Sequence, residues 1–505
     1  MSQLVTLSLE HLRRDAKKLR KDYKLQDDRA LYRVRMHPPR ADGEPLKYAD
    51  FLHVVAQENS FGSWPQLKFA VESQGMDRAS KQQRLKIALF HGQNSIVERL
   101  LADTPDLAQG VLGLEIALYD VAAVRGALAQ DPTAAVRLLG PRRPMLHLAF
   151  SRYIHLRPDL ADDMLEIAEL LVAHGADVDD VMVQPGPSDE HGLSALYGAL
   201  GHANNMILAQ WLLDQGANPN DNESLYHSTE LGHHDGLKML LKHGAKPAGT
   251  NALLRAMDFH DLGAVQLLLE AGADPNEFAA DPVGGELPWV IPALHQAARR
   301  MCDGDMVTLL MNNEADPNRR YQGVTAYAYA RVFGNIAVAE AIRANGVDCD
   351  LSEVEQHLVS AVDESVEVNA LRDVALPDAF KDILRQMAGM PGRVDRVKHL
   401  VALGLDFDAP DTEGLTPVQV AGWEGLPEMM GYLLSLDPDL AHVNNFGGDL
   451  LSTIVHGSEN CPSRQDRKHV ACAELALRAG AMMMPRLAEM AGDDEMAEFL
   501  GSWTG

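Results

Sequence analysis

Short Leu-rich apolar runs alternate along the chain with a polar phrase, Gly-Ala-Asp-Pro-Asn or a near relative. It reads LLVAHGADVD from Leu170, WLLDQGANPN from Trp211, LLKHGAKP from Leu240, LLLEAGADPN from Leu267 and LLMNNEADPN from Leu309. Looser copies begin at Ala341, Leu400 and Leu475, and degenerate ones place equivalent ends at Thr104, Asp131 and Asp437. A helix closing on an apolar pair needs a residue able to take positive φ just past its end, and Gly does so without steric cost. Asp-Pro or Asn-Pro then turns the chain, because Pro fixes its own φ and biases the residue before it away from helix. The pattern predicts helix ends at Gly175, Gly216, Gly244, Gly272, Gly346, Gly404 and Gly480. Glu314 stands where Gly is expected, so its helix should end with strain or by another route.

Upstream of each phrase lies a second, shorter apolar stretch opened by a four-residue signature. Its copies are Pro144-Met145-Leu146-His147, Ser194-Ala195-Leu196-Tyr197, Pro292-Ala293-Leu294-His295, Thr325-Ala326-Tyr327-Ala328 and Thr416-Pro417-Val418-Gln419. Gly-led turns at His91-Gly92, Gly201-His202, Gly232-His233 and Gly334-Asn335 separate the two stretches. The signature and the phrase together closely resemble the ankyrin repeat, a β-turn followed by two antiparallel helices, over about residues 82–500. The fold class this implies is all-α: an ankyrin-repeat solenoid of about eleven units with a helical N-terminal cap. The stretches Leu52–Glu58 and Phe61–Lys68 are similar to a leader seen ahead of bacterial ankyrin arrays, and His456–Pro462 resembles a late-repeat phrase in such proteins. A bacterial source is therefore expected.

The spacing of helix ends departs from the family's regular period, from 27 residues (Thr104 to Asp131) to 58 (Gly346 to Gly404). Extra residues fall at Ser151–Asp163, Val181–Glu190, Glu277–Val290 and Asp350–Gly392. The chain thus divides into a basic helical leader or cap (1–80), an N-terminal repeat array (81–350), a helical insertion within a repeat (351–395), and a C-terminal array and cap (396–505). Phe51, Phe61, Trp64 and Leu67 of the cap are expected to pack on the first repeat near Leu85 and Leu100.

At 46% hydrophobic and 23% charged residues the chain can bury apolar surface throughout, which excludes disorder. No apolar run approaches the roughly 20 residues that span a bilayer, and the first residues lack the order of a signal peptide. The four cysteines fall at no metal-ligand spacing. A soluble cytoplasmic protein is expected. Net charge is −27, but residues 1–40 hold eleven Lys/Arg against five Asp/Glu, leaving −33 on the rest. An acidic body repels nucleic acid and anionic membrane, so either would bind only through residues 1–40.

Chemistry-bearing residues find structural explanations. His227, His233, His234 and His243 lack metal-ligand spacing. His147 and His295 fill the last position of the opening signature, where the family resemblance implies a structural histidine. His456 and Cys461 are close in sequence, but no orienting group or oxyanion donor accompanies them. Without a phosphate-binding Gly loop, Ser elbow or zinc signature, neither cofactor, metal nor catalysis is expected.

The resemblance implies instead a groove built from hairpin tips and the shorter helices. The tip residues are Asp221, Asn222, Phe278, Arg319, Arg320, Tyr321, Gln322, Asp411, Thr412, Asn445 and Phe446, with Trp289 in the Glu277–Val290 insert. The expected function is a protein-interaction scaffold or regulator whose partner carries a basic surface. The alternatives are an adaptor whose basic N-terminal helix binds nucleic acid or anionic membrane, and an enzyme whose site has no recognisable motif.

Overall fold

The computed structural model describes residues 8–39, 46, 48–183, 192–278, 291–347, 349–360, 368–461, 463–484, 487–491 and 493–503. They are mostly helical, and strand among them is confined to two short hairpins. In one, β1 (Val181–Val183) runs antiparallel to β2 (Gly192–Ser194), with Met182 opposite Leu193; in the other, β3 (Arg320–Tyr321) runs antiparallel to β4 (Val324–Thr325). The chain forms two compact units, Met1–Gln296 with Leu309–Ala315, and Ala297–Thr308 with Asp316–Gly505.

Each helix end read from the sequence closes the second helix of a pair, from Asn94–Asp103 before Thr104 to His469–Arg478 before Gly480. The Gly residues of the phrase take positive φ: 91° at Gly175, 94° at Gly216, 89° at Gly244, 91° at Gly272, 97° at Gly404 and 100° at Gly480. That conformation aims the next residue's N–H back along the helix. Ala176, Ala217, Ala245 and Ala273 thereby donate to the carbonyls of Leu171, Leu212, Leu240 and Leu268 at 2.9–3.0 Å. The side chains of those four leucines are fully buried. The Leu-Leu-x-x-Gly-Ala order is therefore one device, in which a leucine fills the core while its carbonyl receives the cap.

Glu314 makes the same cap without Gly. Its φ is +67°, and Ala315 N–H still donates to Leu310 at 3.0 Å. Asp437 also takes positive φ, whereas Thr104 and Asp131 lie at −145° and −140° and end their helices in extended conformation.

The rest of the phrase stitches neighbouring pairs together. Asp177, Asn218 and Asp274 each accept, through Oδ1, the N–H two residues on, which fixes the turn. The residue at the end of the phrase reaches the next pair. Asn220 Oδ1 accepts Lys246 N–H at 2.8 Å, and Asn276 Nδ2 donates to the Glu314 carbonyl at 2.9 Å. Asp408 Oδ2 likewise accepts Asp439 N–H at 2.7 Å.

First helices open as the signature predicts. Ser194 and Thr325 accept the N–H groups of Tyr197 and Ala328, and Thr416 with Gln419 forms a capping box. One of them departs from the α-helical form: after Ala195–Tyr197 the chain widens into a π-helical turn, Gly198–His202. Gly198 is required there, since a Cβ would lie 2.7 Å from the Phe150 ring. Within the 351–395 stretch, Glu353–Ser360 is a helix capped by Ser352, and Ile383–Ala388 packs on Val394–Ala402 as the first helix of the pair ending near Gly404.

The N-terminal segment forms four helices, Leu9–Lys24, Asp28–Met36, Tyr48–Glu58 and Trp64–Glu72. Phe51, Trp64 and Leu67 bury themselves with Leu12, Ala16 and Leu19 in one cluster, and Trp64–Glu72 also packs on Asn94–Asp103, the helix that carries Leu100. The long helix Leu9–Lys24 supplies the apolar stripe Leu12, Ala16 and Leu19 to this core.

Glu314 offers a direct check of the cap. A side chain at positive φ costs about 1–2 kcal/mol, of which the extra unfolded-state freedom of Gly returns roughly half. Glu314→Gly should raise stability by about 0.5–1 kcal/mol in urea unfolding, and Gly272→Ala should lower it.

Candidate protein-binding face

The tip residues picked from sequence separate into two kinds. Asp221 and Asp411 are internal ties. Asp221 accepts the N–H groups of Glu223 and Ser224, and the hydroxyls of Ser194 and Ser224. Asp411 accepts from Glu413 and Leu415 N–H and pairs with Arg385 at 3.1 Å. Neither carboxylate is spare for a partner. Asn222, Gln322, Thr412, Asn445 and Phe446 are exposed, and Phe446 at 74% is the most open ring among the described residues.

The hairpin of β3 and β4 shows how a tip is held. Gln322 and Gly323 both take positive φ, 47° and 85°, the two-residue turn that matches strand twist. Arg320 Nη1 donates to the Gly323 carbonyl at 2.9 Å, which folds this cation over its own turn. Arg319 and Tyr321 are half-buried. Asn445 N–H donates to the Glu413 carbonyl and its Nδ2 to the Thr412 carbonyl, locking two neighbouring tips together. Phe278 is half-buried beside a small cleft with Pro247, Asn251 and Leu254. Trp289 lies outside the described residues.

Sequence reasoning missed the ring-rich face of the first helices in the N-terminal unit. Tyr197 lies 4.9 Å from His227, which lies 5.1 Å from Tyr226. Arg255 continues the row over Tyr226 at 5.5 Å and over Phe259 at 5.0 Å. Carboxylates from three sides neutralise it: Arg255 pairs with Glu230 at 2.8 Å and Asp258 at 3.1 Å, and Glu223 is fully buried beneath His227. The usable signal was Tyr197 and Tyr226, which occupy the same position of consecutive opening signatures.

A second feature stands on the helix Leu9–Lys24. Its buried stripe is Leu12, Ala16 and Leu19, and helical spacing puts Arg14, Lys17, Lys18, Lys21 and Lys24 on the opposite side, all exposed. None of these five forms an ion pair among the described residues, where no helix is long and apolar enough to cross a membrane.

This geometry agrees with the outcome of comparison with known proteins. Residues 202–279 match the family model described as ankyrin repeats (3 copies). The fold is that of ankyrin repeats. Protein phosphatase 1 regulatory subunit 27 from human and from mouse is similar, each 37% identical over 68 residues, 14% of this chain and 44% of the relative. The chain thus spans under half the length of these curated relatives. The crystal structure of the human ASB11 ankyrin repeat domain aligns with 48% of this chain and 99% of its own, at 20% identity and a TM-score of 0.33.

The histidines of these ankyrin repeats point to separate partners. His147 donates to the Leu139 carbonyl at 3.0 Å, His233 contacts Asn204, and His234 contacts Asp261 at 2.8 Å. Among the described residues no three His, Cys, Asp or Glu side chains converge as metal ligands. Cys461 does not meet His456: its thiol faces Glu424 Oε2 at 3.6 Å, and burial with that carboxylate pushes the thiol pKa up. His456 instead bonds Asn460 and lies tilted against the Trp423 ring, 5.0 Å between centres.

His227 carries the largest electrostatic consequence. Burial opposes its charge, but hydrogen bonds to Glu223 at 3.1 Å and Glu230 at 2.9 Å outweigh burial and hold its pKa at about 9. With the folded value above the ordinary 6.5, its stabilisation is complete below about pH 6.5 and is lost as pH rises through 9. Denaturant titrations should show stability falling across that window in the native chain and a flatter profile in His227→Gln; equal slopes would refute the assignment.

Proposed function

We propose that this chain is a non-catalytic, cytoplasmic protein-interaction scaffold or regulator that displays its hairpin tips and first helices to another protein. The observation that carries this reading is the repeated cap and turn. Within each unit they order the tips in advance while leaving Asn222, Gln322, Thr412 and Phe446 exposed. A surface ordered in advance loses little entropy on binding. The ankyrin-repeat match supports this reading, and the human and mouse relatives, regulatory subunits by name, favour a regulator. With a net charge of −27 the chain favours a partner carrying a basic patch, and their association weakens as salt rises.

The basic face of Leu9–Lys24 favours a second reading, in which the same array is an adaptor tethered to an anionic surface. Deleting residues 1–40 would strip the core that Leu12 and Leu19 complete, so charge substitutions are the cleaner probe.

An affinity capture with the purified chain, quantified by mass spectrometry, tests both. Phe446→Ala should weaken the captured partner by about 1–2 kcal/mol, as for an exposed aromatic anchor, with little change in melting temperature. A full set of captured proteins in Phe446→Ala would remove that tip from the interface. Lys17→Gln/Lys18→Gln/Lys21→Gln should leave protein capture intact. If it instead abolishes all retention, including on phosphatidylserine vesicles or duplex DNA, the adaptor reading replaces the scaffold reading.

A further inference from the structure

On the first-helix face of the N-terminal unit, positive charge collects with no paired carboxylate among the described residues. The last turn of the helix Arg78–His91 reaches pairs well beyond its own. Phe90 stacks near-parallel on Phe150 with ring centres 6.0 Å apart, and lies 4.0 Å from the His202 ring. Arg142 fits against both phenyl rings, its guanidinium carbon 4.7 Å from each centre. Its Nε donates to Met182 Sδ at 3.2 Å, and no described residue takes the remaining guanidinium protons. Arg152 approaches from the insert at Ser151–Asp163. It is fastened by its backbone N–H to the Leu89 carbonyl and by Nε to the His202 carbonyl at 2.9 Å.

Every local tie is therefore to a carbonyl, a thioether or a ring face. Neither Arg142 nor Arg152 has an ion-pair partner among the described residues, and burial alone pulls Arg142 below its ordinary pKa. His202 adds no charge at neutral pH, since burial and the fields of Arg152 and Arg142 push it down to about 4. It donates Nε2–H to the Phe90 carbonyl at 2.9 Å, so it serves as a spacer. Arg255 on the same face shows what this protein does with an arginine it neutralises internally, pairing it with both Glu230 and Asp258. In a chain with 72 acidic residues, two half-buried guanidinium groups that pair with no carboxylate among the described residues suit an outside anion.

We propose that the cluster of Arg142, Arg152, Phe90, Phe150 and His202 binds a phosphomonoester carried on a peptide segment of the partner. Two fixed guanidinium charges match a phosphate dianion, which accepts from planar forks through three oxygens, and a carboxylate would neutralise only one of them. The half-buried rings of Phe90 and Tyr197 favour a peptide over free phosphate, because backbone and flanking side chains cover ring surface that a free ion leaves wet, while Phe150 is buried. This inference deepens the protein-binding reading and rests on it.

The test is fluorescence anisotropy of the full chain with a labelled short Gly/Ala peptide bearing one phosphoserine, beside its glutamate and serine counterparts. The phosphoserine peptide should bind at least about tenfold tighter than the serine peptide, with glutamate between them. Arg142→Met and Arg152→Gln should each abolish that tenfold difference. Arg142→Met places an apolar chain between the two rings and removes an unpaired charge. It should therefore raise the melting temperature of the free protein, where a purely structural arginine would lower it. Equal affinity for the phosphoserine and serine peptides overturns the proposal, as does unchanged phosphopeptide binding in Arg142→Met. Inorganic phosphate competing as tightly as the phosphopeptide binds would also overturn it, as a free-anion site. Protein capture that persists in Arg142→Met leaves the scaffold reading standing and sinks this inference alone.

Discussion

The left-handed cap at the end of each second helix is the constraint on which the rest of the fold depends. One residue with positive φ lets the following N–H close on a leucine carbonyl five residues back, as Ala217 does on Leu212 and Ala273 on Leu268. The leucine so capped is also the one most deeply buried, so helix termination and core packing meet in a single residue. Everything downstream inherits that geometry. The Asp or Asn turn follows at fixed distance, and the residue after it reaches the neighbouring pair, as Asn220 does to Lys246. Stability then accrues pair by pair between neighbours. Insertions such as the turns at Tyr153–His155 and Pro158–Leu160 are absorbed between helices without disturbing the caps on either side.

Charge is distributed over this frame by two opposite rules. Around His227 the chain places Glu223 and Glu230 within hydrogen-bond reach, and Arg255 beyond them is paired twice, so a buried network closes on itself. Such a network costs desolvation and repays it only when each member is satisfied. Around Arg142 the rule is broken: rings and a thioether position the cation, and none of them neutralises it. Among the described residues, the first-helix face of the N-terminal unit thus has one cation paired twice, Arg255, and one without a carboxylate, Arg142. A single net charge of −27 conceals this.

The repeat architecture was legible because its signals are local. Gly at the cap, Asp or Asn at the turn and Ser or Thr at the helix start each act within five residues of themselves, and a linear sequence displays such relations directly. Even the exception was readable, since Glu314 was flagged by its residue type and does take positive φ. The binding face was less legible. Asp221 and Asp411 look like ordinary tip residues in sequence, yet their carboxylates are consumed by turn N–H groups and neighbouring side chains. The Arg142 cluster draws on residues 90, 142, 150, 152 and 202, and on a helix end that reaches past its own pair, a long-range contact that repeat spacing does not encode. The N-terminal helices show the same limit: Phe51 and Trp64 announce burial, but only the fold shows that Leu12, Ala16 and Leu19 complete their core.

In the proposed binding mode, partner proteins meet the tips and first helices, while the second helices serve as the base. Hydrogen exchange measured by mass spectrometry, on the chain alone and saturated with a captured partner, tests it most directly. The account predicts new protection at tips such as Gln322–Gly323 and Thr412–Glu413 and along first helices such as Ser224–Ser228, with second helices such as Leu262–Glu270 unchanged. Protection concentrated on the second helices, with tips and first helices exchanging as in the free chain, would contradict it.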